Sequence, residues 1–136
     1  MPKLRRVQQL SVFLENRPGQ LSLLCDCIAE AGARILAMTV ADTVEHGLVR
    51  IVLDEPEAAD AAIKAGGFNC LRTEALAVEL PDTLDALCRV SDSLSRAHVN
   101  IQYLYGSRIE PDASKLMILR VLDLDRAEEA IRAGGP

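Results

Sequence analysis

The sequence predicts an α+β protein of two tandem βαββαβ repeats, each with its helices packed on one face of an antiparallel sheet. Three observations lead there. The chain repeats itself: "VFLENRPGQL" at 12–21 falls on "VELPDTLDAL" at 78–87, and Ile35 falls on Ile101 at the same offset. The tails "AAIKAGG" (61–67) and "EAIRAGG" (129–135) match at an offset two residues longer, and "IEPDASK" (109–115) absorbs the difference. Within each copy the apolar periodicity alternates between strand-like and helix-like in the same order, with breaks at Gly, Pro, Asn and Asp.

The elements of the first copy follow in turn. Leu10, Val12 and Leu14 alternate with Ser11, Phe13 and Glu15, a strand that ends at Asn16, Pro18 and Gly19. Leu21, Leu24, Cys25 and Ile28 then recur at helical spacing, and Gly32 stands where a helix C-terminus needs a left-handed residue. Strands at 34–41 and 48–53 are joined by a hairpin through Glu45, His46 and Gly47. A second helix begins near Pro56, keeps Ala59, Ala62 and Ile63 on one face, and stops at Gly66 and Gly67 before a closing strand at 68–73.

The second copy reads as strand 76–80, helix 83–97, strands 100–105 and 116–122, and helix 125–133, after which only Gly134, Gly135 and Pro136 remain. The expected domains are therefore 1–73, a complete repeat, and 74–136, a repeat lacking its last strand. The sheet faces away from the helices carry Phe13, Met38 and the Tyr103/Tyr105 pair or their neighbours, apolar surface expected to be buried in a homodimer.

Composition removes several function classes. A net charge of −5 opposes binding to a phosphate backbone, and 3% aromatic residues leave no stacking platform for RNA bases. The first loop has no C-x-x-C for a metal, and no glycine-rich cradle surrounds Asn16 and Arg17 as phosphate chemistry would require. His46 and His98 lie far apart without acid or thiol neighbours at ligand spacing, and neither a Ser-His-Asp set nor a dinucleotide fingerprint is present. The chain is expected to be no enzyme, with no catalytic residue, no metal and no cofactor.

No apolar run is long enough to span a bilayer, and the basic start leads to Glu15 rather than to a cleavage site. Cys25, Cys27, Cys70 and Cys88 are irregularly spaced, with Cys25 and Cys27 on different faces of one helix; reduced, mostly buried thiols of a cytoplasmic protein are expected.

The segment "VFLENRPGQLSLLCDCIAEAGARI" resembles the ACT-domain signature: a strand, a polar residue, a Pro-Gly, a Leu opening the helix and an "AGxxI" closing it. The second copy, "VELPDTLDALCRVSDSLSRAHVNI", keeps the strand, the leucines and the "NI" but lacks the glycine. As a whole the chain resembles the stand-alone tandem ACT proteins of bacteria. The resemblance implies ferredoxin-like repeats and a regulatory module that binds an amino acid in the first strand–helix loop, at an interface between domains. It also implies that the opposite wall comes from strand two of a neighbouring repeat, residues 35–38 or Asn100, Ile101 and Gln102.

The residues of the first loop suit that role physically. A helix starting after Gly19 presents unpaired N–H groups and the positive end of its dipole to a carboxylate. Gly19 has no Cβ to hold a ligand away, Asn16 and Gln20 can hydrogen-bond, Arg17 can add a charge-assisted bond, and Pro18 and Leu21 complete the candidate set. A second reading stands beside it, in which Asn16 caps the helix and Pro18-Gly19 merely turns the chain. Asn100 likewise reads either as a ligand for an amino group or as ordinary loop chemistry.

In the second loop Asp82 stands at the expected N-cap and Asp85 follows three residues on, a capping box with its own carboxylates. That loop is expected to be degenerate. Function then divides between an amino-acid-binding regulator acting on itself or a partner enzyme, a ligand-free structural adaptor, and the regulatory subunit of an amino-acid biosynthetic enzyme.

Overall fold

A computed structural model describes residues 3–42, 46–81, 83–109 and 114–134. Its elements run β1 (Lys3–Glu15), α1 (Gln20–Glu30), β2 (Ile35–Asp42), β3 (His46–Leu53), α2 (Pro56–Ala65), β4 (Asn69–Pro81), α3 (Leu84–Arg96), β5 (Ile101–Ile109), β6 (Ser114–Val121) and α4 (Leu124–Ala133). The α+β reading holds, with βαββαβ in the first repeat and βαββα in the second. Glu45, in the first expected hairpin, and residues 110–113, in the second, lie outside the described residues.

The chain forms two compact units, Gln8–Thr73 and a second made of Met1–Val7 with Glu74–Pro136. In the first unit the strand order is β2-β3-β1-β4. Antiparallel register sets Leu10 opposite Ile51 and Val12 opposite Val49, so alternate residues of β1 and β3 share the face on which the helices lie. Leu24 and Ile28 of α1 and Ala59 and Ile63 of α2 close that core. Gly32, at φ 71°, ends α1 in the left-handed region, and the copy-equivalent residue after α3 is His98, at φ 58°.

In the second unit no strand follows α4 among the described residues in the place that β4 takes after α2 in the first. Residues 3–7 of β1 occupy that place, giving the order β1-β4-β6-β5. Leu4 packs on the core formed by Leu76, Val78, Leu80, Leu94, Leu119, Val121 and Ile131. Arg6, two residues on and on the same face, donates from Nε to Glu128 at 2.6 Å and also hydrogen-bonds Asp125, with Glu74 at 4.0 Å. The bond to Glu128 first, and that to Asp125 second, raise the Arg6 pKa above its ordinary value. β1 therefore belongs to both units, its residues 3–7 in one and 8–15 in the other.

Three expectations need correction. The strands expected at 68–73 and 76–80 are one continuous strand, β4, because Glu74 and Ala75 between them carry no turn signal. Met38 stands opposite Ile51 and so shares the helix-bearing face rather than the opposite one; Phe13, opposite Leu48, does lie away from the helices. All four cysteines are free, but only Cys70 is buried: Cys25 and Cys88 are exposed and Cys27 is intermediate.

Among the described residues of the first unit one charge is buried. Asp60 of α2 is only 5% exposed and accepts from Arg72 Nε at 2.9 Å and Lys64 Nζ at 3.3 Å, while its Oδ1 has no partner. Burial pushes its pKa up, but the bonds from Arg72, Cys70 and Lys64 outweigh this and hold it below the usual carboxylate range. Burial, followed by the neighbouring carboxylate, pushes the Cys70 thiol up to about 12.

Three outcomes are expected. Leu4→Ala should lower stability in urea by about 1–2 kcal/mol, less than for a fully buried leucine. Arg6→Ala should also lower stability, and its effect should shrink as salt is added. Because Asp60 has a lower pKa folded than unfolded, its contribution is complete above the unfolded value and is lost as pH falls through the depressed one. Asp60→Asn should therefore flatten the acid limb of stability against pH, and an unchanged limb would show that other carboxylates govern it.

Candidate functional site

The candidate loop is built by the end of β1 and the start of α1. Glu15 closes the strand, and Arg17 folds back on it: the Arg17 N–H donates to the Glu15 carbonyl at 2.9 Å, and Arg17 Nε lies 3.0 Å from Glu15 Oε2. Both side chains are well exposed, so this pair is weak and can open to a ligand at little cost. Gly19 then takes φ 87° and ψ −7°, the left-handed region, at the N-cap. A Cβ there would meet nothing within 4 Å, so glycine is required by backbone angle rather than by crowding from the protein.

The helix start is electrostatically open. The first helical bond runs from the Leu23 N–H to the Gly19 carbonyl at 3.1 Å, which leaves the N–H groups of Gln20, Leu21 and Ser22 ahead of the ladder. No side chain caps them, and the first turn holds no acid. Asn16 is exposed and makes no cap, which removes one of the two readings of that residue. Gln20 is buried despite its polar amide, while Leu21 is 38% exposed beside it.

The other helix starts differ. Thr83 caps α3, accepting from the Ala86 N–H at 3.2 Å, with Asp85 in the first turn. Asp123 caps α4, accepting from the Arg126 N–H at 3.1 Å, with Asp125 in the first turn. Pro56 removes one N–H from the start of α2, and Glu57 adds a carboxylate there. Among the described helices α1 is thus the one with neither a side-chain cap, a proline nor an acid at its start. The expected N-cap Asp82 is corrected to Thr83, the residue directly before the helix, and Asp82 itself lies outside the described residues.

Asn16, Arg17, Pro18, Gly19, Gln20 and Leu21 form one continuous group in the first unit, whereas Asn100, Ile101 and Gln102 belong to the second. There Asn100 precedes β5 and is exposed, Ile101 packs partly on the core, and Gln102 falls in a register irregularity between Ile101 and Tyr103 and is exposed. The sequence reading missed one neighbour of the loop, His46, which stands directly opposite Glu15 in the β1–β3 register. Only the pairing register places it there, and two strands on either side of an intervening helix and strand do not reveal that register in sequence.

A family profile described as "ACT domain pair" matches residues 5–133. No curated protein matches the sequence. Among solved structures, protein BT0572 from Bacteroides thetaiotaomicron superposes with a TM-score of 0.87 at 25% identity, covering 96% of this chain and 89% of that one. The regulatory subunit of aspartate kinase from Thermus flavus superposes at 0.69 with 15% identity, covering 98% and 94%. The corresponding subunit from Thermus thermophilus, in a ligand-free form, superposes at 0.69 with 12% identity, covering 99% and 97%.

The contrast between the two loops has a measurable consequence. Thr83→Ala should cost about 1 kcal/mol through loss of the α3 cap, and Asn16→Ala should stay within about 0.5 kcal/mol because no cap is lost at α1. Chemical denaturation of the two variants tests this, and an equal cost would mean that Asn16 does cap α1.

Proposed function

The chain belongs to the ACT domain-pair family, and from that premise we propose that it is a non-catalytic regulatory protein whose first strand–helix loop binds a free amino acid. The observation that carries the reading is the open start of α1, with uncapped N–H groups and no carboxylate in its first turn, where α3 and α4 hold both a cap and an acid. A ligand carboxylate takes the place a cap would fill, held by the N–H groups that follow Gly19 and by the helix dipole. Arg17 supplies a second, charge-assisted contact once it leaves Glu15, and Asn16 and Gln20 hydrogen-bond the polar atoms that remain. Pro18 fixes the turn, and Leu21 offers apolar contact to the ligand side chain.

Asn100, Ile101 and Gln102 form the facing wall, contributed by a second copy of the chain in a homodimer. Exposed apolar residues favour such an assembly: Phe13 is 40% exposed, and on edge strand β2 Ile35 and Val40 are 42% and 52% exposed. Ligand binding shifts this interface or one with a partner enzyme, and the regulatory effect equals the difference in ligand affinity between the two states. Four free cysteines suit the cytoplasm, and among the described residues no helix is long and apolar enough to cross a membrane.

A thermal-shift screen against the twenty amino acids tests the reading on wild type, Gly19→Asp and Gly19→Ala. A ligand at 100 times its dissociation constant adds about 2.7 kcal/mol, a shift of several degrees. Both variants start lower because φ is positive, but only the aspartate repels a carboxylate. Gly19→Ala should keep a ligand-induced shift that Gly19→Asp loses, whereas a wild type that no amino acid shifts at millimolar concentration would leave the structural-adaptor reading in its place.

A further inference from the structure

The alternation of β1 divides its N-terminal residues between two faces of the second unit. Leu4 and Arg6 turn toward the core and α4, so Lys3 and Arg5 turn to the face without helices. On that face a cavity of about 190 Å³ opens, lined by Lys3, Leu4, Arg5, Ala77, Glu79 and Leu116. Its apolar residues Ala77 and Leu116 are 2% and 8% exposed, while Lys3, Arg5 and Glu79 bring ionised ends to it. Glu79 and Leu116 are direct cross-strand partners, which fixes acid and apolar floor side by side.

The charges at the cavity are only loosely committed. Lys3 Nζ stands 3.9 Å from Glu79 Oε2, with the lysine side chain 85% exposed, a pair too solvated to hold the acid closed. Arg5 has no hydrogen-bond or ion-pair partner among the described residues, in contrast to Arg6 beside it, which is engaged by three carboxylates. The cavity is smaller than those that take drug-sized molecules, and its lining combines a free guanidinium, a reachable carboxylate and an aliphatic floor. These are the complements of the three parts of one small molecule: a carboxylate, an ammonium group and a short aliphatic side chain.

We infer that this cavity is a second ligand site, in the second-repeat unit and on the face away from its helices, for an aliphatic α-amino acid. Arg5 takes the carboxylate, Glu79 exchanges the Lys3 ammonium for that of the ligand, and Ala77 and Leu116 meet the side chain. The site is separate from the first strand–helix loop and stands whether or not that loop binds. It also gives the second repeat a ligand position that its own capped loop does not offer.

Amide chemical-shift titration of the full chain tests it with three probes that share one skeleton: L-leucine, 4-methylpentanoate, which lacks the amine, and isopentylamine, which lacks the carboxylate. L-Leucine should perturb the amides of Ala77, Glu79 and Leu116 with millimolar saturation. Arg5→Ala, an exposed change, should weaken this by about tenfold or more. Glu79→Gln should weaken L-leucine without affecting 4-methylpentanoate, and Gly19→Asp should change neither. No perturbation at these amides, or an equal response in Arg5→Ala, would overturn the site. If 4-methylpentanoate bound as well as L-leucine, and Glu79→Gln altered neither, the assignment to an amino acid would be overturned in favour of a simple anion.

Discussion

The structure depends on β1 serving two units. A βαββαβ layer needs its fourth strand to cover the core beneath the second helix and to pair an otherwise open backbone edge. In the second unit no strand follows α4 among the described residues, and residues 3–7 of β1 fill that place, fastened by Leu4 in the core and by Arg6 against α4. The second unit is therefore discontinuous in sequence, and its folding requires an ordered N-terminus. It also means that the strand leading into the candidate loop is the same strand that closes the other unit.

Duplication supplied two copies of one helix start, and they have diverged in electrostatics. Gly19 and Asp85 stand at equivalent places in the repeat, yet one leaves three N–H groups facing outward while the other belongs to a turn that Thr83 already caps. The difference between an open and a closed helix start here is a matter of two or three side chains on the same backbone. The equivalence of Gly32 and His98 shows the opposite behaviour: the left-handed backbone is kept in both copies, and histidine accepts in the second what glycine adopts freely in the first.

Much of this was legible in the sequence, and the parts that were not have a common physical cause. The helices could be read because apolar stripes such as Leu21, Leu24 and Ile28 and the terminating Gly66 and Gly67 are local signals. The core strands could be read because Leu10, Val12 and Leu14 alternate. What failed depends on pairing between distant segments. The face on which Met38 lies follows from its partner Ile51, the nearness of His46 to Glu15 follows from register, and the strand role of residues 3–7 follows from a core formed more than seventy residues later. In the candidate loop, the residue types of Asn16 to Leu21 suggested a site, but the left-handed angle of Gly19 and the lack of a cap by Asn16 are properties of geometry that no spacing shows.

The most direct measurement is amide hydrogen exchange on the protein with residues 1–7 removed, compared with the full chain. If the N-terminal strand closes the second repeat, amides of α4, β6 and the 74–81 part of β4 lose protection while Val49 and Ile51 in the first core keep theirs. Unchanged protection in α4 and β6, or an equal loss in both units, would contradict a strand that is shared in this way.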